Sequence, residues 1–229
     1  AIEYKMNEPK MNNFKNNVSK DVSVFFDGYA HDFSSIYKED TKKRSSFDKL
    51  MDKWFRKDIE DRFETTVNGI GKDSIDSVLD IGCGPGHFVV KFLEQGKKVT
   101  ALDIAPSMLE ITRQRVKAMG KEGEVKFILD DYSEHSFDHK FDAACVMGFF
   151  DYLEDPVSAL KKLLVEVDKE IYISIPGNRG FLAWQRKIRY NMRNCPLYLY
   201  SKEYLVDCLK EAGCYKISEI ADTGRGYFV

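Results

Sequence analysis

Cysteine and histidine are scarce in this chain, and long apolar runs are missing; each shortage removes a class of function. The 229 residues hold five cysteines and four histidines. Cys83, Cys145, Cys195, Cys208 and Cys214 are odd in number and never spaced C-x-x-C, and no histidine stands at ligand spacing to a cysteine pair. A disulfide framework and a structural zinc site are therefore not expected, nor is any other metal site. Reduced thiols of a cytoplasmic protein are the simplest reading. No run is long enough to cross a bilayer, and the first twenty residues, AIEYKMNEPKMNNFKNNVSK, lack the apolar centre of a signal peptide. Residues before about Asp21 are expected to be poorly ordered unless they fold onto something. Net charge is only −2, so no excess of one sign points to nucleic acid as a partner. There is no internal repeat and no low-complexity linker.

What is present is enough for one sizeable core: 43% of residues are hydrophobic. From Phe47 to Phe63 apolar residues recur at helical spacing. Strand-like and helix-like segments then alternate. SVLDIGC reads as a buried strand, GHFVVKFLEQG as a helix stopped by Gly96, and KVTALDI as a second strand. Pro106 opens a helix that Gly120 closes; EVKFILDD and FDAACVM are the third and fourth strands. Asp155 caps a helix with Pro156 at its first position, IYISIPG is the fifth strand, and a helix runs from about Ser201 to a stop at Gly213. The last stretch, CYKISEIADTGRGYFV, reads as two strands around a turn. The expected fold is α/β: a doubly wound, Rossmann-like, mostly parallel sheet of seven strands with an antiparallel C-terminal hairpin and an N-terminal helical cap. The cap is placed at 1–70 and the nucleotide-type domain at 71–229, with a substrate-side insertion at about 178–200.

The stretch VLDIGCGPGHF carries glycines at alternate positions, Gly82, Gly84 and Gly86, between the first strand and the next helix. Such a turn is where doubly wound folds bind nucleotides, because glycine permits a tight turn and close backbone approach. Asp103 ends the second strand 21 residues after Gly82, where a carboxylate can accept both hydroxyls of a ribose. The dinucleotide fingerprint needs a third small residue three places after its second glycine; here that residue is His87. The spacing argues against a pyrophosphate seat.

VLDIGCGPG resembles the first motif of the class I S-adenosylmethionine-dependent methyltransferases. The resemblance runs motif by motif from Val78 to Pro156 and more loosely to the C-terminus. It implies S-adenosylmethionine as cofactor and S-adenosylhomocysteine as product. VTALDIAPSMLE looks like the second-strand motif, which implies Asp103 as ribose ligand with Ile104 and Met108 flanking adenine. FILDDYSE looks like the third, with Asp131 on the adenine amino group and Tyr132 beside the ring; Asp130 takes that place if the register shifts by one. FDAACVMGFFDYLEDP looks like the fourth-strand motif, which adds Met147. Asp80, ending the first strand, suits the cofactor's ammonium or else caps the loop's own amides. The amides of Cys83 and Gly84 are offered to the cofactor's polar atoms.

FFDGYAHDFSSIY sets Tyr29, Phe33 and Tyr37 at helical spacing, either as a core stripe or as a lid whose Tyr29 or Tyr37 reaches the methionine end of the cofactor. The basic cluster Lys42 to Arg44 is read as a solvated face or as a partner of the cofactor carboxylate. From Ile171 to Lys202 there is no acidic residue, but Arg179, Arg186, Lys187, Arg189, Arg193 and Lys202 alternate with aromatics. This stretch is either a recognition element for an acidic or aromatic small molecule, a solvent face, or a surface for anionic lipid. No residue declares itself a general base; Asp151, Tyr152, His31, His87 and His135 are weighed and none is assigned. The Pro-Pro-aromatic signature of nucleic-acid amino-methylation is absent, since MGFFDY stands in its place. A methyltransferase of small molecules, with O-methylation favoured, is the expectation. The rivals are an NAD-dependent oxidoreductase and an inactive cofactor-binding partner subunit.

Overall fold

The computed structural model describes residues 19–27, 60–179, 183, 187–188, 190–192, 195–223 and 226–229. Among them the helices are α1 (19–27), α2 (60–70), α3 (His87–Glu94), α4 (Pro106–Ala118), α5 (Pro156–Glu166) and α6 (Lys202–Ala212). Seven strands form one sheet: β1 (Ser77–Ile81), β2 (Lys98–Asp103), β3 (Val125–Leu129), β4 (Phe141–Val146), β5 (Val167–Pro176), β6 (Ala221–Asp222) and β7 (Gly226–Phe228). Their order is β3-β2-β1-β4-β5-β7-β6. The first five are parallel, and β7 runs antiparallel to both β5 and β6.

Alternation along the strands assigns each side chain a face. Val78, Ala143 and Cys145 pack with Ile70 of α2, Phe92 of α3 and Val116 of α4. Leu79, Ile81, Ala144 and Val146 point the other way, onto Leu160 and Leu163 of α5 and Leu205 and Leu209 of α6. Both faces are covered, as a doubly wound sheet requires. The expected punctuation is in place. Asp155 accepts the Ser158 amide at 3.1 Å, Ser201 accepts that of Tyr204 at 3.1 Å, and Gly96, Gly120 and Gly213 all have positive φ.

Ser19, the first described residue, is buried and helical, and residues 1–18 lie outside the described residues. One expectation needs correcting. The C-terminal hairpin is shorter than its sequence suggests: residues 214–220 form no regular element, and β6 has two residues. That stretch lies at the sheet edge with only β7 beside it, and Tyr215 stays 83% exposed, so little burial rewards a longer strand. Of the predicted helix at Phe47 to Phe63, only residues from 60 onward are described.

Candidate cofactor and acceptor site

The switch in strand order between β1 and β4 leaves a crevice at the strands' carboxyl ends, the position at which open α/β sheets bind ligands. A cavity of about 770 Å³ occupies it. Its floor is formed by the residues that follow β1, β2, β3 and β4.

The three loop glycines turn out to be glycine for different reasons. All have positive φ: +67° at Gly82, +52° at Gly84 and +77° at Gly86. At Gly86 a Cβ would also stand 2.5 Å from Thr112 Cγ2, so α4 packs where a side chain would be. At Gly82 the nearest neighbour is Phe149 Cβ, at an ordinary 3.7 Å. At Gly84 a Cβ would meet nothing within 4 Å and would project into open space. Gly82 and Gly84 line the cavity and Gly86 does not. Open approach to the backbone is thus a property of Gly84, and interhelical packing a property of Gly86.

The two acids beneath the loop divide their work differently from the expectation. Asp103, buried at the end of β2, accepts the Gly84 amide at 2.8 Å with Oδ2 and the Ala105 amide at 2.9 Å with Oδ1. It is the loop's cap. The Gly82 and Cys83 amides both donate to the Leu102 carbonyl, at 2.9 and 3.2 Å. The amides of Cys83 and Gly84, expected to be open to a ligand, are therefore already paired within the protein. Asp80 caps nothing. It is 2% exposed, and its Oδ2 has no hydrogen-bond partner. Burial pushes the Asp80 carboxyl up to about 7; a hydrogen bond with Cys145 partly offsets this, and the neighbouring Asp103 adds to it. Burial likewise raises Asp103 to about 6, against the pull of the amides it accepts. A buried carboxylate oxygen without a partner is costly, and a cationic group from a ligand is the natural remedy.

Ile104, Met108, Asp131, Tyr132 and Met147 line the same cavity, along with Cys83. Asp131 Oδ1 accepts the Ser133 amide at 2.9 Å, and its Oδ2 accepts the Ser19 hydroxyl. Asp130 is turned to His135, whose Nδ1 stands 2.7 Å away. Tyr132 is almost fully buried and donates its hydroxyl to Glu166 at 2.8 Å, with the Lys162 ammonium 4.9 Å from its ring. Tyr29 and Tyr37 lie outside the described residues, as do Phe33, His31 and the Lys42 to Arg44 cluster. Among the described residues no group of three His, Cys, Asp or Glu is arranged to hold a metal ion.

Sequence reading missed α1. Its Ser19, Val22, Ser23 and Phe26 follow the i, i+3, i+4, i+7 pattern of a helix face, a signal that was available. Ser23 donates to the Ile104 carbonyl at 2.9 Å, and Asp27 accepts the Ser107 amide and hydroxyl at 3.0 and 2.6 Å. The helix is thereby laid across the loops after β2 and β3. Arg62 and Phe63 of α2 also line the cavity; they were not predicted, because the helix that carries them had been read only as an amphipathic segment.

Residues 78–167 match the family model of a methyltransferase domain. That stretch runs from β1 through α5 and holds the glycine loop, and the curated and solved proteins to which the chain is similar include several methyltransferases. A malonyl-[acyl-carrier protein] O-methyltransferase of Ilyobacter polytropus is 26% identical to this chain over 137 residues, which is 58% of this chain and 49% of that protein. A ubiquinone biosynthesis O-methyltransferase of Yersinia enterocolitica is 24% identical over 160 residues, 63% of this chain and 64% of that one. The chain spans about half the length of the first of these curated relatives. In fold, it superposes on magnesium protoporphyrin IX methyltransferase from Synechocystis PCC 6803, solved with bound S-adenosylhomocysteine, with a TM-score of 0.69. That superposition covers 93% of this chain and 97% of the other at 15% identity, a likeness of fold. That neighbour was also solved with bound S-adenosylmethionine, and the orphaned Asp80 oxygen and the open face of Gly84, in one cavity of this chain, fit the ammonium-bearing end of such a molecule.

Proposed function

We propose that this chain transfers a methyl group from S-adenosylmethionine to a small-molecule acceptor, acidic or aromatic, with oxygen as the favoured acceptor atom. The observation that carries the reading is Asp80: a buried carboxylate with one unpartnered oxygen, at the end of β1, in the wall of the crevice cavity. When bound, the cofactor supplies a sulfonium-activated methyl group, whose transfer to a hydroxyl leaves a neutral thioether and releases one proton. Asp80 holds the ammonium. Asp103 keeps the glycine loop in shape through Gly84 and uses its remaining lone pairs for the ribose hydroxyls. Ile104 and Met108 flank the adenine, Asp131 accepts its amino group, Tyr132 lies beside the ring, and Met147 borders the methionine end. Tyr29 and Tyr37 complete that end from the cap at 1–70. The chain's contribution is mainly alignment, which supplies roughly 7–11 kcal/mol of barrier reduction when acceptor and methyl are held in line. Oxygen as the acceptor atom is supported by the two relatives above, both O-methyltransferases by name.

The test is a calorimetric and thermal titration with S-adenosylmethionine, S-adenosylhomocysteine and NAD on the wild type and Asp80→Asn, followed by product detection over a panel of hydroxyl and carboxyl acceptors. Ligand at 100 times its dissociation constant raises stability by about 2.7 kcal/mol. Stabilisation by both adenosyl compounds, weakened in Asp80→Asn, and methylated product from wild type are expected. Stabilisation by NAD alone would overturn the reading. Tight adenosyl binding without product from any acceptor would make the chain an inactive binding subunit.

A further inference from the structure

Opposite the polar floor, the cavity has an aromatic wall built from three separate parts of the chain. Phe26 comes from α1, Tyr152 from the turn after β4 and Tyr190 from the segment after β5, and all three line the cavity. Their rings are interlocked. Phe26 meets Tyr152 edge to face, with centroids 5.4 Å apart and planes at 85°. Tyr152 and Tyr190 lie 6.2 Å apart at 33°, with their hydroxyl oxygens at 3.4 Å. Phe25 backs Tyr190 from outside at 5.4 Å. Asp80 and Asp103 lie near the ends of β1 and β2 and Asp131 follows β3, whereas Tyr152 and Tyr190 follow β4 and β5; Phe26, packed on Ala105 and Met108, joins the two sets. Tyr152 and Tyr190 stand in the part of the cavity that the cofactor assignments leave over.

The wall's geometry selects among acceptors. It offers ring faces, ring edges and the hydroxyls of Tyr152 and Tyr190. Such surroundings suit a planar π-system, whose edges and faces complement those of the wall.

We propose that Phe26, Tyr152 and Tyr190 form the acceptor subsite, and that it takes a planar aromatic acceptor in preference to a saturated one. The inference rests on the methyltransferase reading. It also explains why α1 is anchored to the floor: the bonds from Ser19, Ser23 and Asp27 to Asp131, Ile104 and Ser107 fix Phe26 relative to the cofactor residues.

The test uses 2-naphthol and its saturated counterpart decahydro-2-naphthol as probes, titrated into protein loaded with S-adenosylhomocysteine. Wild type is expected to bind the planar probe at least tenfold more tightly. The preference should fall below threefold in Tyr152→Leu and in Tyr190→Leu, with S-adenosylhomocysteine affinity kept within threefold. Equal binding of the two probes by wild type overturns the inference, whatever the variants do. So does a preference that both variants leave intact. Failure of S-adenosylhomocysteine to bind wild type overturns the methyltransferase reading itself, and the acceptor inference with it.

Discussion

The two ends of the cavity are built in opposite ways. The cofactor end is made of short contiguous stretches: four strand ends, each delivering its side chains through a local turn. Asp80 and Gly84 are four residues apart, and Asp103 reaches back 19 residues to the loop it caps. The acceptor end is made of single side chains far apart in sequence, Phe26, Tyr152 and Tyr190, joined by ring packing and by a contact between the two tyrosine hydroxyls. One end depends on backbone conformation that few residue types can adopt. The other depends on ring contacts that many apolar residues would tolerate. Substitution at the first should therefore be severe and specific, and at the second graded.

Within the loop itself the comparison is sharpest at two glycines. Gly86→Ala should be the most damaging single change, since it puts a side chain at positive φ and drives a Cβ onto Thr112. Left-handed strain and overpacking together cost about 2–4 kcal/mol, to be read as a fall in the denaturation midpoint of the cofactor-free protein. Gly84→Ala carries the strain alone, about 1–2 kcal/mol, but places its methyl group in the open face of the loop, so cofactor affinity should fall further than stability. If both variants lose stability and affinity in the same proportion, the two glycines do not have separate roles.

Asp80→Asn tests the floor without disturbing its shape. Neutralising a buried carboxylate that has one unpartnered oxygen should leave the cofactor-free protein as stable or slightly more so. Affinity for S-adenosylmethionine should drop about tenfold or more, equivalent to about 1.4 kcal/mol, as measured by calorimetry. Lost stability with unchanged affinity would mean that Asp80 is a structural acid.

The same two acids set a pH dependence of opposite sign for folding and for binding. Asp80 and Asp103 titrate near 7 and 6 in the folded state, above the ordinary carboxylate range. The folded protein thus holds protons that the unfolded chain has released. Their contribution to stability is fully present below about pH 4 and is lost as pH rises through 6 and 7. An ammonium ligand favours ionised Asp80, so cofactor affinity should rise over that interval while the stability of the cofactor-free protein falls. Denaturation and titration curves at pH 5, 6, 7 and 8 would check both slopes.

The smallest effect is expected where the two ends are tied together. Asp27→Ala removes the contact of α1 with Ser107 and should cost about 1 kcal/mol of stability. Its main consequence should be a raised KM for the acceptor with kcat little changed, because Phe26 is no longer held in register with the floor. A KM for S-adenosylmethionine that rises just as much would show that α1 serves both ends equally.

The residues that were legible in sequence are those whose reason is local. A left-handed turn requires glycine, a helix start favours Asp155 before Pro156, and strand alternation assigns Leu79 and Val78 to opposite faces; each is settled within a few residues of chain. That is why the order of elements, both faces of the sheet and the glycine loop could be read directly. The C-terminal hairpin was overread for the converse reason: CYKISEI has the composition of a strand, but pairing needs a neighbour, and the sheet edge supplies one only at Ala221 and Asp222. The amide donors of the loop were misjudged because whether an N–H is open or spent depends on what the next strand brings to it.

By itself, then, the sequence determined a doubly wound sheet with a glycine loop after its first strand, since short-range sterics and periodicity leave few other solutions. The tertiary structure alone decided which acid caps the loop and which is left unpartnered. It also decided that α1 lies across the floor, and that Phe26, Tyr152 and Tyr190 meet on one wall. These are contacts between groups separated by 19 to 126 positions in the chain, and no local rule carries information over that distance.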